Sequence, residues 1–200
     1  MKKDELYISS DGEFSGPRAS HHELLSLGAC LESDTSVNFY RELKPLTSNY
    51  TLKALQVAVK GLRSLDGVRH LPQYDPDNKM FDPDQVLQRL NEHGVHPNQA
   101  MHEFKRWLLN ISGESSPIFV SFGSQDWKFV DQYLRQYTDS NPFGISVLDL
   151  KSYAMGKFGL SYHDVTKKKI KELLELKSKH THNALDDAVE QAEIHRKMRY

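Results

Sequence analysis

Two hundred residues with nearly balanced charge, 26 Lys+Arg against 27 Asp+Glu, suit one soluble domain with a core of ordinary size. The formal net charge of -1 excludes a global basic field that would draw the chain to nucleic acid or an anionic membrane, so any polyanion must be held by local features. No apolar run approaches bilayer length, Met1-Lys2-Lys3-Asp4-Glu5 leads into no apolar leader segment, and the single Cys30 cannot form an internal disulfide; these features predict a cytoplasmic protein with Cys30 in its core.

In chain order, Leu6 to Ser10 alternates apolar and polar residues as a strand does and runs into Asp11-Gly12-Glu13. Residues i and i+2 of an extended segment share a face, so Asp11 and Glu13 would converge, as a hard divalent cation requires. Asp-Gly between extended runs is also a hairpin-turn signal, and this stretch alone leaves both readings open. Glu23 to Glu32 and Val37 to Lys44 are apolar-rich runs separated by Ser33-Asp34-Thr35-Ser36, which predicts three successive strands, antiparallel in part.

Leu52, Leu55, Val59 and Leu62 predict a helix over 51–62. Residues 63–97 read as a long loop or insert with a short helix over 84–91. Alternation then becomes regular. A helix over 98–111 is followed by the short buried strand Pro117-Ile118-Phe119-Val120-Ser121-Phe122. Gly123-Ser124 is a turn and cap into a helix with Trp127, Val130, Leu134 and Tyr137 inward. A strand over 145–148, helices near 149–158 and 165–176, and a last helix from Ala184 to about Met198, capped by Asn183, complete the chain. The fold class expected is α/β, a mixed sheet with helices on both faces in a single domain over 1–200.

Two further acids sit at helix starts. Asp126 falls in the first turn after the buried strand, where strand ends and helix N-termini meet and ligands bind in α/β sheets; by itself it is equally an acid complementing the helix dipole. In His182-Asn183-Ala184-Leu185-Asp186-Asp187, Asp186 has a role as cap partner, which leaves Asp187 and the loop imidazole to be explained.

With these residues in place the chain resembles the DEDDh-type 3′-to-5′ exonucleases, the family of polymerase proofreading subunits, RNase T and oligoribonuclease. Three motifs carry the likeness: Asp11-x-Glu13 ending the first strand, Asp126 opening a central helix, and His182 followed five residues later by Asp187. It spans residues 4–198. Phe14-Ser15-Gly16 replaces the Thr-Thr-Gly or Met-Thr-Gly common after the first glutamate, the His-Asn and Phe-Asp pairs usual around the central acid are absent, and 63–97 looks longer than its equivalent. The resemblance implies an RNase H-like fold. It also implies an activity, the metal-dependent release of nucleoside 5′-monophosphates from the 3′ end of single-stranded RNA or DNA. Asp11 would bridge two cations, Glu13, Asp126 and Asp187 would complete their coordination, and His182 would take the proton from the attacking water.

Elementary electrostatics agrees with that implication. Two carboxylates about 4 Å apart repel by about 4 kcal/mol at an effective dielectric of about 20, and two divalent cations neutralise four of them. Oxygen ligands favour Mg²⁺ or Mn²⁺ over Zn²⁺, and a histidine of ordinary pKa near 6.5 suits general-base work. Phe14 and Arg18, just after the metal motif, are candidates for base stacking and phosphate contact, with Phe14 equally suited to the core. Lys167, Lys168, Lys169, Lys171, Lys177 and Lys179 read either as a solvated helix surface with Ile170, Leu173 and Leu174 inward, or as phosphate contacts. His21, His22 and His180 are expected at the surface, and Trp107 and Trp127 in the core. By analogy with single-domain relatives, a homodimer is expected. The rival reading is a catalytically inactive nucleic-acid-binding or partner-docking module on the same fold.

Overall fold

A computed structural model describes residues 5–177 and 181–199. Its centre is a five-stranded mixed sheet of β1 (Leu6–Phe14), β2 (Leu24–Leu31), β3 (Asp34–Glu42), β4 (Pro117–Ser121) and β5 (Val147–Asp149). The strand order is β3-β2-β1-β4-β5, antiparallel from β1 to β3 and parallel from β1 through β4 to β5. The first strand does not stop at Ser10: Asp11, Gly12 and Glu13 pair with Gly28, Leu27 and Ser26, which decides against a hairpin turn at Asp-Gly.

One face of the sheet is covered by α3 (Pro97–Ser112) and α4 (Gln125–Thr138). Ile8, Leu27, Phe39, Phe104, Phe119, Phe129 and Leu134 form the main core there, with Trp107 and Trp127 packed at its margin. The other face carries α7 (Ala184–Arg199), with α5 (Leu150–Phe158) and α6 (Lys167–Leu173) packed alongside through Ile170, Ala154, Ile194 and Met198. Helices thus cover both faces, as the alternation of elements requires. Cys30 is a buried core residue against Ala188 and Ala192, and burial pushes its thiol pKa up to about 12.

Local details depart from the sequence pattern for identifiable reasons. The helix expected over 51–62 is α1 (Leu52–Ala58) and ends a turn early; Leu52 is exposed, while Leu55, Val59 and Leu62 are buried. Residues 63–97 are not simply a loop. They contain a 3-10 turn (Arg63–Leu65) and α2 (Pro83–His93), three residues longer than the helix expected there, with Asp82 accepting the Asp84 N–H at 3.0 Å and Pro83 in the first turn. Leu65, Val86, Leu87 and Leu90 join Leu25, Leu55 and Leu62 in a second apolar cluster, whose scattered members show no periodicity over one window. Ser124 starts α4 without a side-chain cap; Phe129 and Tyr133 are buried, whereas Trp127 and Tyr137 are only partly so. The last strand begins at Val147, since Ile145 is exposed. His22 is buried rather than at the surface, its Nδ1 accepting the Arg18 N–H at 3.2 Å.

The contact that sets the site is between α7 and β2. A Cβ on Gly28 would stand 2.2 Å from the backbone of Ala184 and Leu185, so the helix start rests directly on the strand. Ser9 Oγ donates to the Ala188 carbonyl at 2.7 Å and pins the next turn to β1. Gly28→Ala is therefore expected to cost about 1–3 kcal/mol, the usual penalty of overpacking, as a lowered urea midpoint at unchanged slope. A midpoint equal to wild type would contradict this seating.

Candidate active site

Asp11 and Glu13 project from the α7 face of β1, two residues apart on the same side. Beyond Ser9 the edge of β1 toward β4 is no longer paired, because β4 turns away at Ser121. The Gly12 N–H on that edge is satisfied by Asp126 Oδ1 at 3.0 Å, which brings the first turn of α4 to the same point. Asp187 enters from above in the first turn of α7 and is fully buried.

His182 is placed by its neighbours rather than by regular structure. Its φ of 59° is left-handed, a conformation that costs a non-glycine residue about 1–2 kcal/mol and persists only when the surroundings hold it. Asn183 Oδ1 accepts from the Leu185 and Asp186 N–H groups at 3.2 and 3.3 Å, while its Nδ2 donates to the Gly61 carbonyl at 2.8 Å. A Cβ on Gly61 would lie 1.8 Å from the His182 carbonyl oxygen, so only glycine permits this clamp. Thr181 N donates to Asp187 Oδ1 at 3.1 Å.

The outcome is that Glu13, His182 and Asp187 each offer an atom within 4.8 Å of the other two. Asp11 and Asp126 adjoin this trio closely enough to act on it. Burial, then Asp11, Asp187 and Asp126, raise the Glu13 carboxyl well above its ordinary pKa, and Lys167 partly offsets them. Burial and then Asp11 raise Asp126 in the same way, against Lys167 and the Gly12 N–H. Carboxylates assembled at this cost suit a hard cation: the donors are oxygens plus one imidazole nitrogen, and added positive charge relieves their repulsion.

Of the polar residues packed around these acids, Gln191 is marked by no sequence feature, while Lys167 and Lys171 belong to the lysine run read above as helix surface or phosphate contact. Gln191, one turn beyond Asp187, donates its amide to Asp11 Oδ1 at 2.5 Å. Lys167 Nζ stands 3.6 Å from the same oxygen. Lys171 pairs with the buried Glu190 on α7. The signal available was helical spacing: Lys167, Ile170 and Lys171 form the inward stripe of α6, continued by Leu174 just past its end, while Leu173, expected inward, is exposed. Lys168, Lys169 and Lys177 are exposed, and Lys179 and His180 lie outside the described residues.

Phe14 points to the opposite face of β1 and stacks on Phe129, ring centroids 4.2 Å apart. It also lines a cleft of about 380 Å³ beside Glu13, with Pro17, Ala54, Val57 and Gln125. Arg18 is exposed on the loop that follows.

No family model matches the chain. It is 31% identical over 199 residues to the 3′-5′ DNA exonuclease Cap18 of Escherichia coli, an alignment covering 98% of this chain and 93% of that protein. The chain belongs to the DEDDh 3′-to-5′ exonucleases. It is accordingly a hydrolytic enzyme, and its sheet is the RNase H-like one of that family. Among solved structures, the nuclease domain of the DEDDh family member 3′hExo, bound to rAMP, superposes with a TM-score of 0.69 at 13% identity, covering 98% of this chain and 92% of that one. S. pombe Pop2p in its Mg²⁺- and Mn²⁺-bound form gives 0.64 at 13% identity over 96% and 82%. E. coli Exonuclease I with a dA13 oligonucleotide gives 0.65 at 9% identity over 98% of this chain and 40% of that one.

The acid cluster has a measurable signature in the ion-free exonuclease. Glu13 and Asp126 have folded pKa values raised above the ordinary 4.5 and 3.8, so the folded chain binds protons the unfolded chain has lost, and stability falls as pH rises. His195 acts oppositely: burial lowers its pKa from 6.5 to about 4, and its contribution is lost as pH falls through that interval. The His195 contribution is common to wild type and variant, so the Tm in EDTA of wild type relative to Glu13→Gln is expected to fall as pH rises above about 4.5, the ordinary value at which the unfolded Glu13 loses its proton. An identical slope in the variant would show that Glu13 is not held in the cluster.

Proposed function

We propose that this enzyme removes nucleoside 5′-monophosphates from the 3′ end of single-stranded DNA with Mg²⁺ or Mn²⁺ as cofactor. The observation that carries the proposal is the meeting of Glu13, His182 and Asp187, from a strand, a loop and a helix, within 4.8 Å and beside Asp11 and Asp126. DNA is favoured by the relative named as a DNA exonuclease, which aligns with 98% of this chain. The Mg²⁺ and Mn²⁺ of the Pop2p structure support the choice of ion.

In this reading Asp11, Glu13, Asp126 and Asp187 would hold two divalent cations, which would supply Lewis-acid stabilisation of the phosphoryl charge. His182, beside Glu13 and Asp187, accepts the proton of the attacking water. The new bond is from that water's oxygen to phosphorus, and the bond broken is from phosphorus to the 3′ oxygen of the preceding nucleotide, which leaves and is protonated by solvent. The terminal nucleotide occupies the cleft beside Glu13, where the edge of Phe14 with Ala54 and Val57 offers a surface tolerant of any base. Arg18, on the adjoining loop, meets a phosphate of the strand. Conversion of all five polar residues' geometry into a mere docking module leaves the cost of the acid cluster without a return, which disfavours the inactive alternative.

With end-labelled single-stranded DNA and Mn²⁺, wild type should yield mononucleotides and a descending ladder, a blocked 3′ end should stop it, and Asp11→Ala or Asp187→Ala should abolish it. His182→Ala should lose roughly 10² to 10⁴ in rate, the worth of a positioned base. Turnover unchanged by excess EDTA would overturn the proposal, and a parallel RNA time course tests the choice of sugar.

A further inference from the structure

β3 is the last strand at its end of the sheet, and among the described residues only Val95 extends its ladder, donating to the Glu42 carbonyl at 2.8 Å. The rest of that edge lies in a trench of about 580 Å³, with Arg106 and Trp107 of α3 on one wall and Arg63 and Leu185 on the other. Three guanidinium groups, those of Arg41, Arg63 and Arg106, face one carboxylate there, and Arg41 Nε holds that carboxylate, Glu103, at 2.7 Å. Glu42, just outside, is used internally, accepting the Tyr40 hydroxyl at 2.6 Å and the Ser64 N–H at 3.0 Å. Arg63 and Arg106 are exposed and, among the described residues, form no ion pair. The Arg63 guanidinium lies over the Tyr40 ring, 4.2 Å from its centroid, so it is held in place with its N–H donors still free to meet an anion.

The trench runs toward the candidate active site. Arg63 also borders a polar hollow of about 320 Å³ with Lys60 and with Thr181 and Asn183, the two residues that flank His182. The acids of that hollow have partners, Asp66 in Arg69 at 3.1 Å and Asp186 in the Thr181 hydroxyl at 3.2 Å. Tyr40 joins the two spaces, carrying Arg63 on its ring and receiving Asn183 Nδ2 at its hydroxyl at 3.4 Å. From this continuity we infer that the trench along β3 is a second binding site of the exonuclease, for a stretch of single nucleic-acid strand several nucleotides 5′ to the bond cleaved. Arg63 and Arg106 meet its phosphates, and the partly exposed Trp107 offers a base a face to stack on. A second copy of the chain suits the trench less well: where it would need an apolar centre, the walls present guanidinium groups and the side-chain amides of Asn38 and Asn110. The inference rests on the proposed action at a nucleic-acid 3′ end, and it makes affinity grow with strand length while the reacting groups stay the same.

Two measurements with Mn²⁺ test it in wild type, Arg106→Gln and Arg63→Gln/Arg106→Gln: fluorescence anisotropy of a 3′-blocked single-stranded DNA of roughly 16 nucleotides, and kinetics on open strands of roughly 4 and roughly 16 nucleotides. The double variant should bind the blocked strand about tenfold or more weakly, and the slope of log affinity against log salt should flatten by about 0.7 for each arginine removed. KM on the long strand should rise in parallel, while kcat on both strands and KM on the short one stay within about twofold of wild type. Arg106→Gln, at an exposed position of α3, should show half of the change in slope with an unaltered melting temperature, which separates loss of a phosphate contact from loss of fold. Equal affinities and salt slopes in all three proteins, with hydrolysis intact, would overturn the second site and leave the proposed function standing. A change confined to molecular mass by light scattering would also overturn it, by marking the trench as an interface between copies. Absence of hydrolysis of either open strand by wild type would overturn the proposed function, and the inference with it.

Discussion

Helix α7 rests on the sheet backbone to backbone, and the geometry of the site follows from that seating. A side chain at Gly28 would hold the helix start away from β2, and without the Ser9 hydroxyl on the Ala188 carbonyl the next turn could slide along β1. Because packed interiors are close to crystalline density, such a contact has one arrangement and not a continuum. It sets Asp187 over Glu13, Gln191 over Asp11, and Glu190 within reach of α6. A single helix thereby carries an acid, the amide that orients another acid, and the partner of a lysine.

The consequence is electrostatic. Acids gathered from β1, α4 and α7 lose solvent and gain like charge, and both effects push Glu13 and Asp126 toward their protonated forms. A structure that accepts this needs positive charge nearby. In the ion-free chain part of it comes from Lys167, and the proposed divalent ions supply the rest.

The segment between β3 and α3 contributes by support. Its apolar cluster around Leu55, Leu62, Leu65 and Leu90 anchors the turn at Gly61, and Gly61 in turn holds the His182 loop through the Asn183 amide. The imidazole thus owes its position to residues about 120 earlier in the chain, and its left-handed backbone is held by that clamp.

Much of this was legible in the amino-acid order. Period-two and period-3.6 patterns located most of the sheet and the long helices, and the spacing within Asp11-x-Glu13 puts those two acids on one face of an extended segment, whereas His182 and Asp187 stand out through the family resemblance that the three motifs carry. Only the tertiary structure decided that Asp11-Gly12-Glu13 is strand rather than turn, that 63–97 folds around an apolar cluster, and that Lys167 and Gln191 turn inward on Asp11. The reason is range: periodicity reports what one element does with its own two faces, whereas a buried lysine or a glycine under a helix is determined by which other element arrives there, and that is settled by packing across more than a hundred residues.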